Sequence, residues 1–311
     1  MPRRNRVLLV ALLGLGALVP LTPAVPAGAA LPVPTFTTDE TSGPDVNKGD
    51  GVCANASGGC SLQAAFDEAI ALRRGTIVVA TPPDAVTAAV RGSISLRGPG
   101  HYLDQSTITV ERGATLTVGQ INLSTVDLTV RGRLVLDGTV VLDPDRFKVD
   151  PPGTATVRNT IVYLDGAPLV NNGRLSLVYA TVQRAFDPAD RAKAIQTGTG
   201  ATTTLVASNL VGPRGNGRAC GGTKPVSEGY NLSFDWSCLT HPTDLGIYVQ
   251  GPTLGPAGTP RVDAVPAGEA GCGTTVTTDL AGGLRPMDGD GDGTAACDIG
   301  YAELPPPSGS G

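Results

Sequence analysis

Three aspartates, Asp288, Asp290 and Asp292, alternate with glycine and lead into Gly293 and Thr294. Alternating carboxylates can curl toward one point. A glycine in sixth place permits the tight turn, and the seventh residue can turn its carbonyl inward, as in a calcium loop. The twelfth place holds Ile299 instead of a bidentate glutamate, and Asp298, one residue earlier, could substitute. The expected cofactor is therefore a structural calcium ion held by Asp288, Asp290, Asp292, Thr294 and Asp298. The competing reading is an acidic turn whose glycines serve only its backbone path.

Asp143, Asp145 and Asp150, with Arg146 and Lys148 among them, read as one interstrand turn and form the best catalytic candidate. A polysaccharide lyase needs a basic residue near acidic groups, and a glycoside hydrolase needs two carboxylates at a set separation. Asp-Pro-Asp is also ordinary turn chemistry. His101 and His241 are single loop histidines, no Gly-x-Ser-x-Gly occurs, and no nucleophile has a base at a recognisable spacing. This argues against an enzyme.

The elements that must position such residues show in a repeat. Glycine opens a short β segment at Gly92, Gly113, Gly132, Gly153 and Gly173, at spacings of 21, 19, 21 and 20 residues. Gly200 follows after 27, with Asp187–Arg191 expected to loop out. A period near 20 with two or three short strands per unit is that of a solenoid. Leucine-rich repeats share the period but not the pattern, and a β-sandwich is the structural alternative. Alternation along the opening strands puts Ile94, Leu96, Leu116, Val118, Leu134, Leu136, Ala155, Val157, Leu175 and Leu177 inside. Arg133, Thr156, Arg174 and Ser176 then share the outer face, where hydroxyls and guanidinium groups could hold a glycan. Trp236, Tyr163 and Tyr179 are the few aromatic stacking candidates. A threonine ladder for ice is disfavoured because arginine interrupts it.

An open solenoid end needs a cap. Leu62, Ala65, Phe66, Ala69, Ile70 and Arg73 fall on one helical stripe, predicting a helix over Ser61–Arg74 with Ser61 as N-cap and Gly75 as terminator. Thr76–Val79 then reads as the first rung.

Composition agrees. Gly and Pro contribute 42 and 26 of 311 residues, aromatics 4% and charged residues 16%, which fits a turn-rich β protein rather than a helical bundle. Net charge is −5 and the isoelectric point about 5.1, so no nucleic-acid partner is expected. Arg3, Arg4 and Arg6, the apolar run Val7–Val19 and the small residues Ala27–Ala29 read as an export signal. Six cysteines in an exported chain suggest three disulfides; of 15 possible pairings, nearest neighbours each bracket one Gly-rich loop, namely Cys53–Cys60, Cys220–Cys238 and Cys272–Cys297. No Cys-x-x-Cys metal motif is present.

Cys60-Ser61-Leu62-Gln63-Ala64-Ala65 resembles the Cys-Ser-Leu-Arg-Glu-Ala motif of exported bacterial β-helix proteins, with Gln63 and Ala64 replacing Arg and Glu. Gly229-Tyr230-Asn231-Leu232-Ser233, and Leu284–Gly293 with Cys297–Glu303, resemble the choice-of-anchor Q domain. The resemblance implies an all-β, right-handed parallel β-helix displayed at or released from the cell surface, and it implies no reaction. The expected layout is a signal peptide at 1–29, a disulfide loop and capping helix at 30–75, the β-helix at 76–232, a disulfide-bonded Asp/Gly segment at 233–304 and a flexible tail at 305–311. The expected function is a secreted, monomeric, non-catalytic adhesive or glycan-binding module. Its partner would be extracellular polysaccharide or cell wall, with no membrane-spanning segment in the mature chain. A β-helix lyase or hydrolase is the alternative.

Overall fold

The computed structural model describes residues 32–184, 193–212, 218–247 and 261–307; the expected signal peptide and the Asp187–Arg191 loop-out lie outside the described residues. Three parallel sheets wind about one axis for about seven turns. Sheet A has nine strands: Thr35–Thr37, Arg74–Val78, Ser93–Arg97, Thr115–Gly119, Arg133–Asp137, Thr154–Arg158, Arg174–Val178, Thr202–Val206 and Val226–Ser227. Sheet C has eight, from Tyr102–Asp104 to Gly246–Ile247, and sheet B seven, from Thr87–Val90 to Cys220–Gly222. On each full turn the chain visits A, then C, then B. This is a right-handed parallel β-helix, the hand that parallel crossovers of twisted strands adopt. The fold class stands as expected, and the glycine-opened strands are those of sheet A.

The glycine period has a steric cause at the corner from sheet B to sheet A. A Cβ on Gly132 would stand 2.2 Å from the Glu111 carbonyl oxygen of the rung below, and one on Gly153 2.3 Å from that of Val130. Real Cβ atoms do not approach so closely, so these corners tuck over the rung below only without a side chain, whereas Gly113 and Gly200 meet nothing within 4 Å and instead take φ of +76° and +78°. The corner from A to C is two residues long, and its first takes a left-handed conformation on successive rungs: Gln120, Gly138, Asn159, Tyr179 and Ala207 have φ between 45° and 63°.

The inward positions of sheet A are all buried, with Leu116, Leu134 and Leu136 at 0% exposure. In-register pairing stacks them: Ile94 on Leu116, Leu116 on Leu134, Leu134 on Ala155. Leu123, Val141 and Val162 from sheet C, and Ile108, Leu128 and Phe147 from sheet B, complete one continuous core.

The cap is a helix over Leu62–Ala71, with the Ser61 hydroxyl accepting the Ala64 N–H at 3.0 Å. Its C-terminal end differs from expectation. Gly75 lies inside the strand Arg74–Val78, and Arg73, at φ +57°, makes the turn and is exposed rather than part of the stripe. Gly75 instead lets the helix lie close: a Cβ there would stand 2.9 Å from that of Ala69. Thr35–Thr37 adds a sheet A strand outside the expected first rung and places Phe36 against the helix end. The buried Glu68 carboxylate accepts the N–H groups of Gly49 and Gly51, tying the first disulfide loop to the cap.

All three disulfides form as paired from the sequence: Cys53–Cys60, Cys220–Cys238 and Cys272–Cys297. The last lies in a segment that folds back on the A-to-C corner. Val265, Val276, Cys297 and Ile299 pack there with Tyr179 and Ala207 as a second, smaller core. The Gly300 N–H donates to the Ala207 carbonyl at 3.0 Å.

Candidate functional site

The outer face of sheet A is a ladder set by register. One row runs Thr115, Arg133, Thr154, Arg174, Thr202, and another runs Ser95, Thr117, Val135, Thr156, Ser176, Thr204. Thr154, Thr156, Arg174, Ser176, Thr202 and Thr204 line a concavity of about 410 Å³. Arg174 and the hydroxyls of Thr156 and Ser176 thus meet as the sequence suggested, and Arg133 lies one rung further along the same row. Nearer the cap, Ser95, Arg97, Thr117 and Asp137 face Thr278–Leu280 of the C-terminal segment across a second concavity of about 290 Å³. The returning segment therefore forms a wall beside the ladder. Asp137 is held by Arg158, whose guanidinium is pushed up by that hydrogen bond, and by Asn159 Nδ2 at 3.3 Å.

The expected catalytic turn is not one turn. Arg146–Val149 is a strand of sheet B, with Asp143 and Asp145 in the corner before it and Asp150 in the corner after it. Arg146 pairs with Asp127 on the neighbouring strand at 3.5 Å, and Lys148 with Asp150 at 2.8 Å. Alternation puts both cations on the outer face of a regular strand, so the ion pairs read as sheet-surface pairs. His101 Nε2 bonds the Ala80 carbonyl at 3.2 Å, and His241 Nδ1 bonds Thr243 at 2.9 Å. Among the aromatic candidates Trp236 is 61% exposed, but Tyr179 is fully buried and offers no platform.

In the acidic loop, the carboxylates that come within 4.8 Å of one another belong to Asp263, Asp288 and Asp290. Asp292 and Asp298 stand outside that group. Asp292 accepts the Thr294 N–H at 2.7 Å, and buried Asp298 accepts the N–H groups of Asp263 and Leu304 at 2.8 and 2.6 Å. Asp263 accepts the Asp290 N–H at 2.7 Å through Oδ2, while its buried Oδ1 has no hydrogen-bond partner. Burial pushes the Asp263 carboxyl up, and the charges of Asp290 and Asp288 push the same way.

The fold-back is pinned by a buried charged cluster. Arg285 lies 4.3 Å over the Tyr179 ring, pairs with Glu303 at 2.5 Å, and donates to the carbonyls of Asp298 and Gly300 at 2.8 and 2.7 Å. Burial raises Glu303 to about 8 against the pull of Arg285, and Asp298 to about 6. Burial also pushes the Tyr179 phenol above its ordinary range.

Sequence reasoning missed Asp263, which is distant in sequence from the Asp/Gly loop, and the Arg285–Glu303 pair, whose burial comes only from packing on Tyr179. It also missed four arginines at the B-to-A corner and its N-terminal counterpart: Arg73, Arg91, Arg112 and Arg131, which with Glu111 line a concavity of about 800 Å³. Their signal was present, since three of the four directly precede or flank the repeating glycines. No family model matches the chain, and neither the curated proteins nor the solved structures contain a match.

Proposed function

We propose that this chain is an exported, non-catalytic β-helix that binds polysaccharide along the outer face of sheet A. The observation that carries the reading is the in-register ladder of threonine, serine and arginine, hollowed at Thr154–Thr204 and walled near the cap by Thr278–Leu280. A straight row of donors and acceptors repeated on every rung suits an extended chain of sugars, whose hydroxyls recur along its length. Arg174 can grip a carboxylate bidentately where the sugar is acidic. Three disulfides fit an oxidising compartment. Among the described residues no helix is long and apolar enough to cross a membrane. The resemblance to exported, surface-displayed β-helix proteins supports the same reading.

The expected calcium belongs to this proposal in a revised form. Asp263, Asp288 and Asp290 would hold the ion, and its role would be to fasten the loop to the C-terminal fold-back.

The test is a panel of acidic and neutral polysaccharides, assayed for binding and for released reducing or unsaturated ends. Binding without release, weakened severalfold by Arg174→Ala with Ser176→Ala, is the expected result. Release of unsaturated or reducing ends would favour the lyase or hydrolase reading instead. No binding by the wild-type protein would overturn both.

A further inference from the structure

The B-to-A corners differ along the coil. Arg73 precedes the sheet A strand Arg74–Val78, and Arg91, Arg112 and Arg131 occupy the next three corners. The next three corners make the same crossing with Asp150-Pro-Pro-Gly153, Asn172-Gly173 and Gly198-Thr-Gly200-Ala201, and the last with Thr223-Lys224-Pro225. The crossing is therefore made without arginine at all of these corners. Stacked strands stand roughly 4.8 Å apart, so the three corner guanidinium groups are held on neighbouring rungs where like charges repel. Compensation is slight. Glu111 is the one acid in the concavity, and it reaches Arg131 at 3.9 Å with both side chains partly in water. Among the described residues no ion pair is made by Arg73, Arg91 or Arg112. This concentration of positive charge sits on a chain whose net charge is −5.

We infer that this arginine corner binds an acidic polysaccharide whose carboxylates recur along an extended chain. The inference names the ligand class for the polysaccharide reading above, and it rests on that reading. The rung spacing is close to the length of one pyranose in an extended chain, so one guanidinium per rung can meet one carboxylate per sugar. Each guanidinium presents a planar fork of donors that matches a carboxylate. The corner opens directly onto the starts of the sheet A strands, so its column of guanidinium groups runs beside and parallel to the hydroxyl ladder. No aromatic side chain lines the concavity. That lack disfavours single-stranded nucleic acid, whose bases need stacking platforms.

The experiment compares wild type, Arg91→Gln with Arg112→Gln, and Arg174→Ala with Ser176→Ala. The probes are polygalacturonate oligomers, their methyl-esterified forms, a neutral glucan and single-stranded DNA of matched charge, all in chelator. Thermal unfolding checks that each variant folds. The single variants Arg91→Gln and Arg112→Gln replace the pair if it does not. The expected result is that wild type prefers the acidic chain over its ester, and that the corner pair weakens acidic binding roughly tenfold. Binding of the ester should be untouched, and added salt should erase the preference. If the corner pair is silent while the sheet pair abolishes binding, the corner inference falls and the polysaccharide reading stands. If wild type binds no polysaccharide, the reading itself falls. DNA bound as tightly as the acidic chain would show a general polyanion surface and overturn the assigned class.

Discussion

Replacing Glu303 by leucine strands a cation that cannot escape by titration. Arg285 is buried, at 0% side-chain exposure, and Glu303 Oε1 stands 2.5 Å from its Nη1. The same carboxylate oxygen accepts the Asp298 N–H at 3.0 Å. Guanidinium keeps its proton across the accessible pH range, so Glu303→Leu leaves an uncompensated buried charge together with an unanswered backbone donor. Above pH 8, where Glu303 carries its charge, removing one partner of a buried pair costs ~3–5 kcal/mol. For a domain of 150–250 residues that lowers the thermal midpoint by roughly 6–20 °C. Arg285→Met is the asymmetric counterpart. The carboxyl left behind can take up a proton instead of remaining charged, so the loss should be smaller below pH 8 and grow above it. The double variant Arg285→Met with Glu303→Leu removes both charges and should recover much of the loss. Thermal and urea unfolding of the four proteins at pH 6 and pH 9 measures this, with limited proteolysis reporting release of the C-terminal segment. At pH 9, a Glu303→Leu cost under about 1 kcal/mol, or a double variant as unstable as the single, would refute the claim that this pair pins the fold-back.

The wild type carries its own pH signature. Burial raises Glu303 to about 8 and Asp298 to about 6, so both bind protons more tightly folded than unfolded. Their contribution is fully present below the unfolded values near pH 4 and is lost as pH rises through 6 and then 8. The unfolding midpoint should therefore fall between pH 5 and 9, and Glu303→Gln should flatten the upper part of that fall. Gly132→Ala should cost about 1–3 kcal/mol, because its methyl would meet the Glu111 and Ala114 carbonyl oxygens at 2.2 and 2.5 Å; urea midpoints check it. Replacing Cys272 and Cys297 by serine opens a loop of sequence separation 25 and should cost on the order of 3.5 kcal/mol, read by the same titration. Excess calcium should raise the thermal midpoint and chelator lower it, with Asp290→Ala abolishing the difference. An unmoved midpoint would leave Asp263, Asp288 and Asp290 as an acidic turn.

The solenoid was legible because its cause is local and recurrent. A glycine about every twenty residues followed by alternating side chains marks one corner repeated, where glycine serves either to pass over the carbonyl below, as at Gly132 and Gly153, or to take a positive φ, as at Gly113 and Gly200. The disulfides were legible for a related reason, since each closes a loop local in sequence. The acidic loop was legible only in part. Asp288 and Asp290 lie two residues apart, but their third neighbour, Asp263, precedes Asp288 by 25 residues and arrives through the fold-back. Asp298 reads as an extra ligand in the linear sequence, yet its oxygens are engaged by the N–H groups of Asp263 and Leu304. Likewise Asp143 through Asp150 reads as a charged turn until Phe147 and Val149, both buried, show that a strand passes through it.

The arginine corner illustrates what a repeat conceals. Positions beside an obligatory glycine are free of the core and of the sheet, so no periodic hydrophobic pattern marks them. Their side chains project from a turn whose geometry the glycine alone secures. The change from Arg91, Arg112 and Arg131 to Asp150-Pro-Pro-Gly153 and Asn172-Gly173 therefore owes nothing to folding the corner. It sets a run of arginine corners at the capped end of the solenoid. A surface that stacks like charges on neighbouring rungs is costly unless something anionic meets it. On the polysaccharide reading proposed above, that anion is a sugar chain running along the corner beside the hydroxyl ladder of sheet A.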